Sequence, residues 1–133
     1  LQEVFMKKKG ATKDAVIFYA MDELGHCPEY LWAKFPSYAI LRCKENNKWY
    51  AALLDVQRDK LGLEGEGKVD LLDIKISKED KAKYIGQKGF VYGYHFGGDS
   101  WIGILLDGSV DKELVFSLLV KSYQLVKPKK HIK

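Results

Sequence analysis

The sequence predicts an α+β domain, with a mainly antiparallel sheet of about five strands packed on helices from the two ends of the chain. Three observations carry this expectation. Helical periodicity is strongest at the front and back, while period-two patterns fill the middle. No strand–helix–strand alternation of the kind that builds a parallel sheet occurs. The length, 133 residues of which 47% are apolar, suits one domain with a real core.

The elements follow in order. Leu1 to Lys9 reads as a short helix stopped by Gly10. Thr12 is a suitable N-cap for a second helix, in which Val16, Ile17, Ala20, Met21 and Leu24 recur at helical spacing before Gly25. Pro28 suits a turn or a first helical position, and Phe35-Pro36 opposes any further helix. Tyr38 to Cys43 and Trp49 to Val56 alternate as strands around Glu45-Asn46-Asn47, which makes a hairpin.

Arg58 to Lys68, with three glycines and several charges, reads as a mobile loop. Val69 to Ile76 is a third strand with Leu72, Ile74 and Ile76 on one face. Ser77 and Asp80 resemble a capping box for a short helix ending at Gly86. Phe90 to His95 and Trp101 to Leu106 form two more strands around a Gly97-Gly98-Asp99-Ser100 turn. Ser109 is expected to cap a last helix from about Asp111 to Val126, apolar on most faces. The domain is thus expected over residues 13–126, with an extension or linker at 1–12 and a basic tail at 127–133.

The net charge of +4 resides at the ends. Lys7, Lys8, Lys9 and Lys13 stand at the front, and Lys121, Lys127, Lys129, Lys130 and Lys133 at the back. Between Asp14 and Val120 the chain holds 13 basic and 17 acidic residues, a net of −4. Basic ends grip phosphates without sequence preference, or merely keep a protein soluble. No apolar run approaches the ~18 residues of a membrane span, and no signal-peptide pattern occurs. Cys27 and Cys43 are too few for a disulfide framework, so free thiols in the reducing cytoplasm are expected. A start at Leu1 is expected of a piece of a longer chain.

No constellation forces an enzymatic reading. His26-Cys27 lacks the convergent ligands of a zinc site, so neither a metal nor a cofactor is expected. Cys27 or Cys43 with His95 is a formal nucleophilic pair, but nothing beside either thiol predicts activation. Asp73 and Cys43 are the groups to check beside His95 for a perturbed acid or thiol. Glu64-Gly65-Glu66-Gly67 follows no phosphate-loop pattern.

Two surfaces remain. Arg42, Lys48 and Lys75 are cations in or beside strands; on an uncovered sheet face they serve solvation or phosphate contact equally well. Tyr94 and His95, with Trp101 across the hairpin, are expected to make either an aromatic ligand surface or part of the core.

A set of motifs in order then resembles the MmcQ/YjbR family over roughly residues 13–126. They are Leu31-Trp32, Lys34-Phe35-Pro36, Arg42, Asn47-Lys48-Trp49-Tyr50, Lys60 to Leu63 and Asp73-Ile74-Lys75. Gly93-Tyr94-His95, Trp101, Leu106 to Val110, Ser122-Tyr123 and Leu125-Val126 continue the set. The resemblance implies a CyaY-like, double-wing fold and, by a label resting largely on fold, DNA binding. Some relatives carry this domain behind another, which implies an upstream domain. Relatives also carry an Asn-Lys pair shortly before the tryptophan matched by Trp101. Gly97 to Ser100 lacks that lysine and adds Asp99, which implies one phosphate contact fewer.

The expectation is therefore a non-enzymatic binding module. Its first expected partner is nucleic acid, bound weakly and salt-dependently through Arg42, Lys48 and Lys75, with Trp49 and Tyr94 stacking. The alternative is a small-molecule or protein-interaction domain using Tyr94, His95 and Trp101.

Overall fold

The computed structural model describes residues 10–129; the expected helix over Leu1–Lys9 and the end of the basic tail lie outside the described residues. Helix α1 (Lys13–Tyr19) opens where expected, with the Thr12 hydroxyl accepting from the Ala15 amide at 3.1 Å. It continues as a π-helical turn over Ala20–Leu24 and stops at Gly25, whose φ of 74° favours glycine. There follow β1 (Ala39–Arg42), β2 (Trp49–Gln57), β3 (Lys68–Lys75), α2 (Lys78–Tyr84), β4 (Phe90–Tyr92), β5 (Trp101–Leu105) and α3 (Lys112–Val126). The strands form one antiparallel sheet in the order β1-β2-β3-β5-β4.

One sheet face packs on the helices. Leu41, Leu53, Leu72, Ile74, Ile102 and Ile104 meet Val16 of α1 and Val115, Leu118 and Leu119 of α3, all at most 2% exposed. Burying each such side chain contributes about 1.5–3 kcal/mol. The other face is not the open, solvated surface expected for the strand cations. Ile40, Ala52, Leu54, Val56, Leu71 and Leu105 form a second buried cluster there, with Trp32, Tyr38, Tyr94 and Phe96 from two loops packed against it. The cause is legible in β2, where four successive residues, Ala51 to Leu54, are buried: a strand apolar on both sides must be covered on both sides.

Local expectations fared unevenly. Ser77 caps α2, accepting from the Asp80 amide at 3.2 Å. Ser109 does not cap α3: the N-cap is Asp111, and the Ser109 hydroxyl instead donates to the Asp107 carboxylate within its turn. The segment from Arg58 begins with a 3-10 turn over Arg58–Leu61, and Arg58 N–H closes the loop onto the Gly67 carbonyl at 2.9 Å. β4 ends at Tyr92 and not at His95. Gly93 turns the chain so tightly that a Cβ there would lie 2.6 Å from the Phe96 carbonyl oxygen, and His95 adopts a left-handed φ of 67°. The connection to β5 is therefore a loop over residues 93–100 that folds across the second face.

A bulge interrupts the β1–β2 ladder. Leu41 faces Ala51 and Arg42 faces Trp49, which leaves Tyr50 without a β1 partner. Tyr50 and Ala51 both turn toward the helices, while Trp49 joins the opposite cluster. Ser122 of α3 meets the same residue from the β3 side: its hydroxyl donates to the Tyr50 carbonyl at 2.6 Å and accepts from the Lys75 amide at 2.9 Å.

Candidate functional site: an aromatic recess on the second sheet face

Most of the expected site residues converge on one end of the second face. Arg42 pairs with Trp49 across β1 and β2, and Lys75 pairs with Trp101 across β3 and β5. Cation and ring associate in both pairs, with the Arg42 guanidinium 5.9 Å from the Trp49 centroid and the Lys75 ammonium 5.4 Å from that of Trp101. Phe96 bridges the two, stacked on Trp101 at 4.5 Å and set at 72° to Trp49. Lys48 is exposed in the β1–β2 turn.

The cations differ in how free they are. Arg42 donates to both carboxylate oxygens of Glu29, at 2.8 and 3.0 Å, and to the Asn47 carbonyl. These hydrogen bonds hold the Glu29 carboxyl below the usual carboxylate range. Lys48 has no ion pair among the described residues. The net charge of +4 comes wholly from residues outside 10–129, since Lys7, Lys8, Lys9, Lys130 and Lys133 are set against Glu3 alone.

Beside this row the two loops enclose a recess of about 310 Å³. Its walls are Trp32, Phe35, Tyr38, Trp49, His95 and Phe96, and Leu54 forms part of its lining from the sheet. Trp32 stands at 74° to Tyr38 and at 78° to Trp49, with centroids 6.0 and 5.8 Å away. Phe35 stacks on Tyr38 at 4.7 Å, and the Tyr38 hydroxyl donates to the Asp55 carbonyl at 3.2 Å. Burial, with the nearby Asp55 carboxylate second, pushes the Tyr38 phenol up. Tyr30, Leu31 and Phe35, on the same loop, are three of the protein's exposed large apolar side chains.

The expected trio of Tyr94, His95 and Trp101 is only partly reunited. His95 is exposed and lines the recess. Tyr94 is half-buried and lines a smaller recess of about 200 Å³ with Asp55, Lys60 and Lys68, on the other side of Tyr38 and His95. Trp101 is half-buried under Phe96 and Lys75. Trp32, Phe35 and Tyr38 were not anticipated as site residues. The sequence signal was the aromatic density of Tyr30, Trp32, Phe35 and Tyr38 around a proline, in a segment with no helical or strand period.

The candidate thiols and His26 lie in other surroundings. The Cys43 thiol lies on the helix side, donates to Glu45 at 3.1 Å and is pushed up by burial, the reverse of activation. His26 is buried, joined through Nδ1 to the Tyr50 hydroxyl at 2.8 Å, and burial keeps its pKa below the usual value. Cys27 beside it is exposed. No group of three or more His, Cys, Asp or Glu side chains with metal-binding geometry occurs among the described residues.

Asp73 is the unusual acid. It is fully buried, alternates with Leu71 on the loop-covered face, and faces Ala52 and Gly103 across the neighbouring strands. Neither carboxyl oxygen meets hydrogen-bond geometry with a partner among the described residues, and the Tyr94 backbone amide lies near without closing a bond. Burial pushes this carboxyl up to about 8, with the Tyr94 backbone amide drawing it the other way. At neutral pH Asp73 is therefore mainly the uncharged acid.

Comparison with known proteins agrees with this architecture. The chain is 32% identical over 116 residues to the uncharacterized protein YyaQ of Bacillus subtilis, an alignment covering 87% of this chain and 98% of that one. A crystal structure of a Pseudomonas syringae protein superposes with a TM-score of 0.85 at 33% identity, covering 88% of this chain and 100% of the other. A Deinococcus radiodurans protein shares the fold, with a TM-score of 0.64 at 21% identity over 96% of this chain and 85% of that one. The YjbR family model matches residues 25–125, and on this match and the likeness to YyaQ the chain belongs to the YjbR family.

Proposed function

We propose that the protein is a binding module whose site is the aromatic recess on the second sheet face. One observation carries this reading: six ring side chains from two loops and a strand surround about 310 Å³ of space, where a core would have closed. Phe35, one of the recess walls, is itself exposed, as are Tyr30 and Leu31 just before Trp32 in sequence, and exposed apolar patches mark contact surfaces. Protein-observed NMR with a panel of small aromatic and alkylammonium compounds tests it. Binders are expected to shift the indole resonances of Trp32 and Trp49 more than that of Trp101. Binders that map to the helix side, or a panel with none, would overturn the reading.

A second reading, nucleic acid, is favoured by the row of Arg42, Trp49, Lys75 and Trp101 with Lys48 exposed beside it. In it the cations meet phosphates, and Trp49 and Tyr94 stack on bases. The pairing of Arg42 with Glu29 and the neutral balance of residues 10–129 weigh against high affinity. Fluorescence anisotropy with a random duplex and a single strand at two salt concentrations separates the possibilities. Salt-sensitive binding that survives ending the chain at Val126 supports this site. Binding lost with the tail assigns it to the terminus.

A further inference from the structure

We propose that the recess takes a compact organic cation, an alkylated ammonium group held against the faces of its rings. This rests on the recess being the ligand site and adds the chemical class of the ligand.

Shape is the first argument. A planar aromatic ligand is best held in a slot between parallel rings. Here three ring pairs around the space, Trp32 with Tyr38, Trp32 with Trp49 and Trp49 with Phe96, stand at 74°, 78° and 72°, and Tyr38 with His95 is tilted at 55°. The parallel pair, Phe35 on Tyr38, is closed at 4.7 Å and admits nothing between its rings. Upright walls form a box, which contacts a rounded group from several sides. At about 310 Å³ the box sits at the small end of the usual ~300–1,000 Å³ for ligand pockets, a size suited to a head group.

Electrostatics is the second. Aromatic faces carry negative charge density and attract cations. The same sheet end already uses this attraction internally, at Arg42 over Trp49 and Lys75 over Trp101. Among the described residues no side-chain cation sits over Trp32, Tyr38 or Phe96. The Arg42 charge is offset by its two bonds to Glu29. Asp55, Lys60 and Lys68 all belong to the adjoining recess and not to this one.

Hydration is the third. A box walled mainly by ring faces replaces little of the water around a primary ammonium, which is strongly hydrated. Alkyl groups on the nitrogen spread the charge and leave less hydration to lose, as in aromatic cages that hold quaternary ammonium.

The test is titration of the intact chain, followed by tryptophan fluorescence and NMR, with three probes. They are choline, its uncharged isostere in which a tert-butyl group replaces the trimethylammonium, and indole. Choline is expected to bind about tenfold more tightly than the isostere, the factor set by ~1.4 kcal/mol of cation–ring attraction. Trp32→Leu, which keeps apolar bulk and removes a ring face, is expected to erase that preference while isostere binding persists. Trp32 packs on the second buried cluster, so a lower urea midpoint is expected, and unchanged circular dichroism with a cooperative urea transition verifies that the variant folds. Equal binding of choline and isostere, or tighter binding of indole, would overturn the cation assignment and leave the recess as the site. No binding by any probe would remove both.

Discussion

The Ser122 hydroxyl of α3 donates to the Tyr50 carbonyl at 2.6 Å, at the residue where β2 bulges. It accepts in turn from the Lys75 amide at 2.9 Å. One helix side chain thus joins β2 to β3 just past their Ala51–Ile74 pair, and the bulge against β1 turns Trp49 to the recess face. Without it, strict alternation from Ala51 would send Trp49 toward the helices.

Ser122→Ala is accordingly expected to destabilise the fold well beyond the loss of one hydroxyl. It strands a buried carbonyl and a part-buried amide, each costing about 1–3 kcal/mol when left unpaired. Urea denaturation reads the loss. A change within ~0.5 kcal/mol, the usual effect of a surface substitution, would mean that water fills the gap.

Gly103 faces Asp73 across β3 and β5, and a Cβ there would meet Val91 Cγ2 at 2.9 Å and Asp73 Oδ1 at 3.0 Å. Gly103→Ala should therefore cost about 1–3 kcal/mol through overpacking. Combining it with Val91→Ala should recover part of that loss, which a double-mutant cycle on urea midpoints measures.

Asp73 gives a pH signature of definite sign. Its carboxyl holds a proton up to about 8 in the native state, whereas the unfolded chain releases it near the ordinary value of about 4. The native state thus binds more protons across that window, and stability falls as pH rises through it, by about 1.4 kcal/mol per pH unit where the difference is complete. Asp73→Asn removes this slope. The stability of the variant relative to the parent should therefore increase between about pH 5 and about pH 8. Parallel stability profiles for the two proteins would show that Asp73 ionises normally.

Glu29→Gln releases the Arg42 guanidinium from its two carboxylate bonds. If phosphates reach the sheet face, the variant should bind a random single strand more tightly, with a salt slope steeper by about one contact. Unchanged anisotropy titrations would exclude Arg42 as a phosphate ligand.

Much of this protein follows from local sequence. The Thr12 and Ser77 caps, the Gly25 stop, the β1–β2 hairpin and the antiparallel sheet rest on backbone chemistry and periodicity, which act over a few residues. The cations Arg42 and Lys75 and the rings Trp49 and Trp101 were recognisable as polar or aromatic residues in or beside strands, and they do share a face. Three features depended on contacts between distant segments. The bulge that reorients Trp49 is tied by Ser122, far along the chain in α3. The covering of the second face comes from two loops whose glycines and prolines announce a turn without saying where it folds. The isolation of Asp73 needs Gly103 beside it, a pairing set by the β3–β5 register. Periodicity assigns side chains to faces within one element; only packing decides which distant segment covers a face and whether the space left between them is a core or a recess.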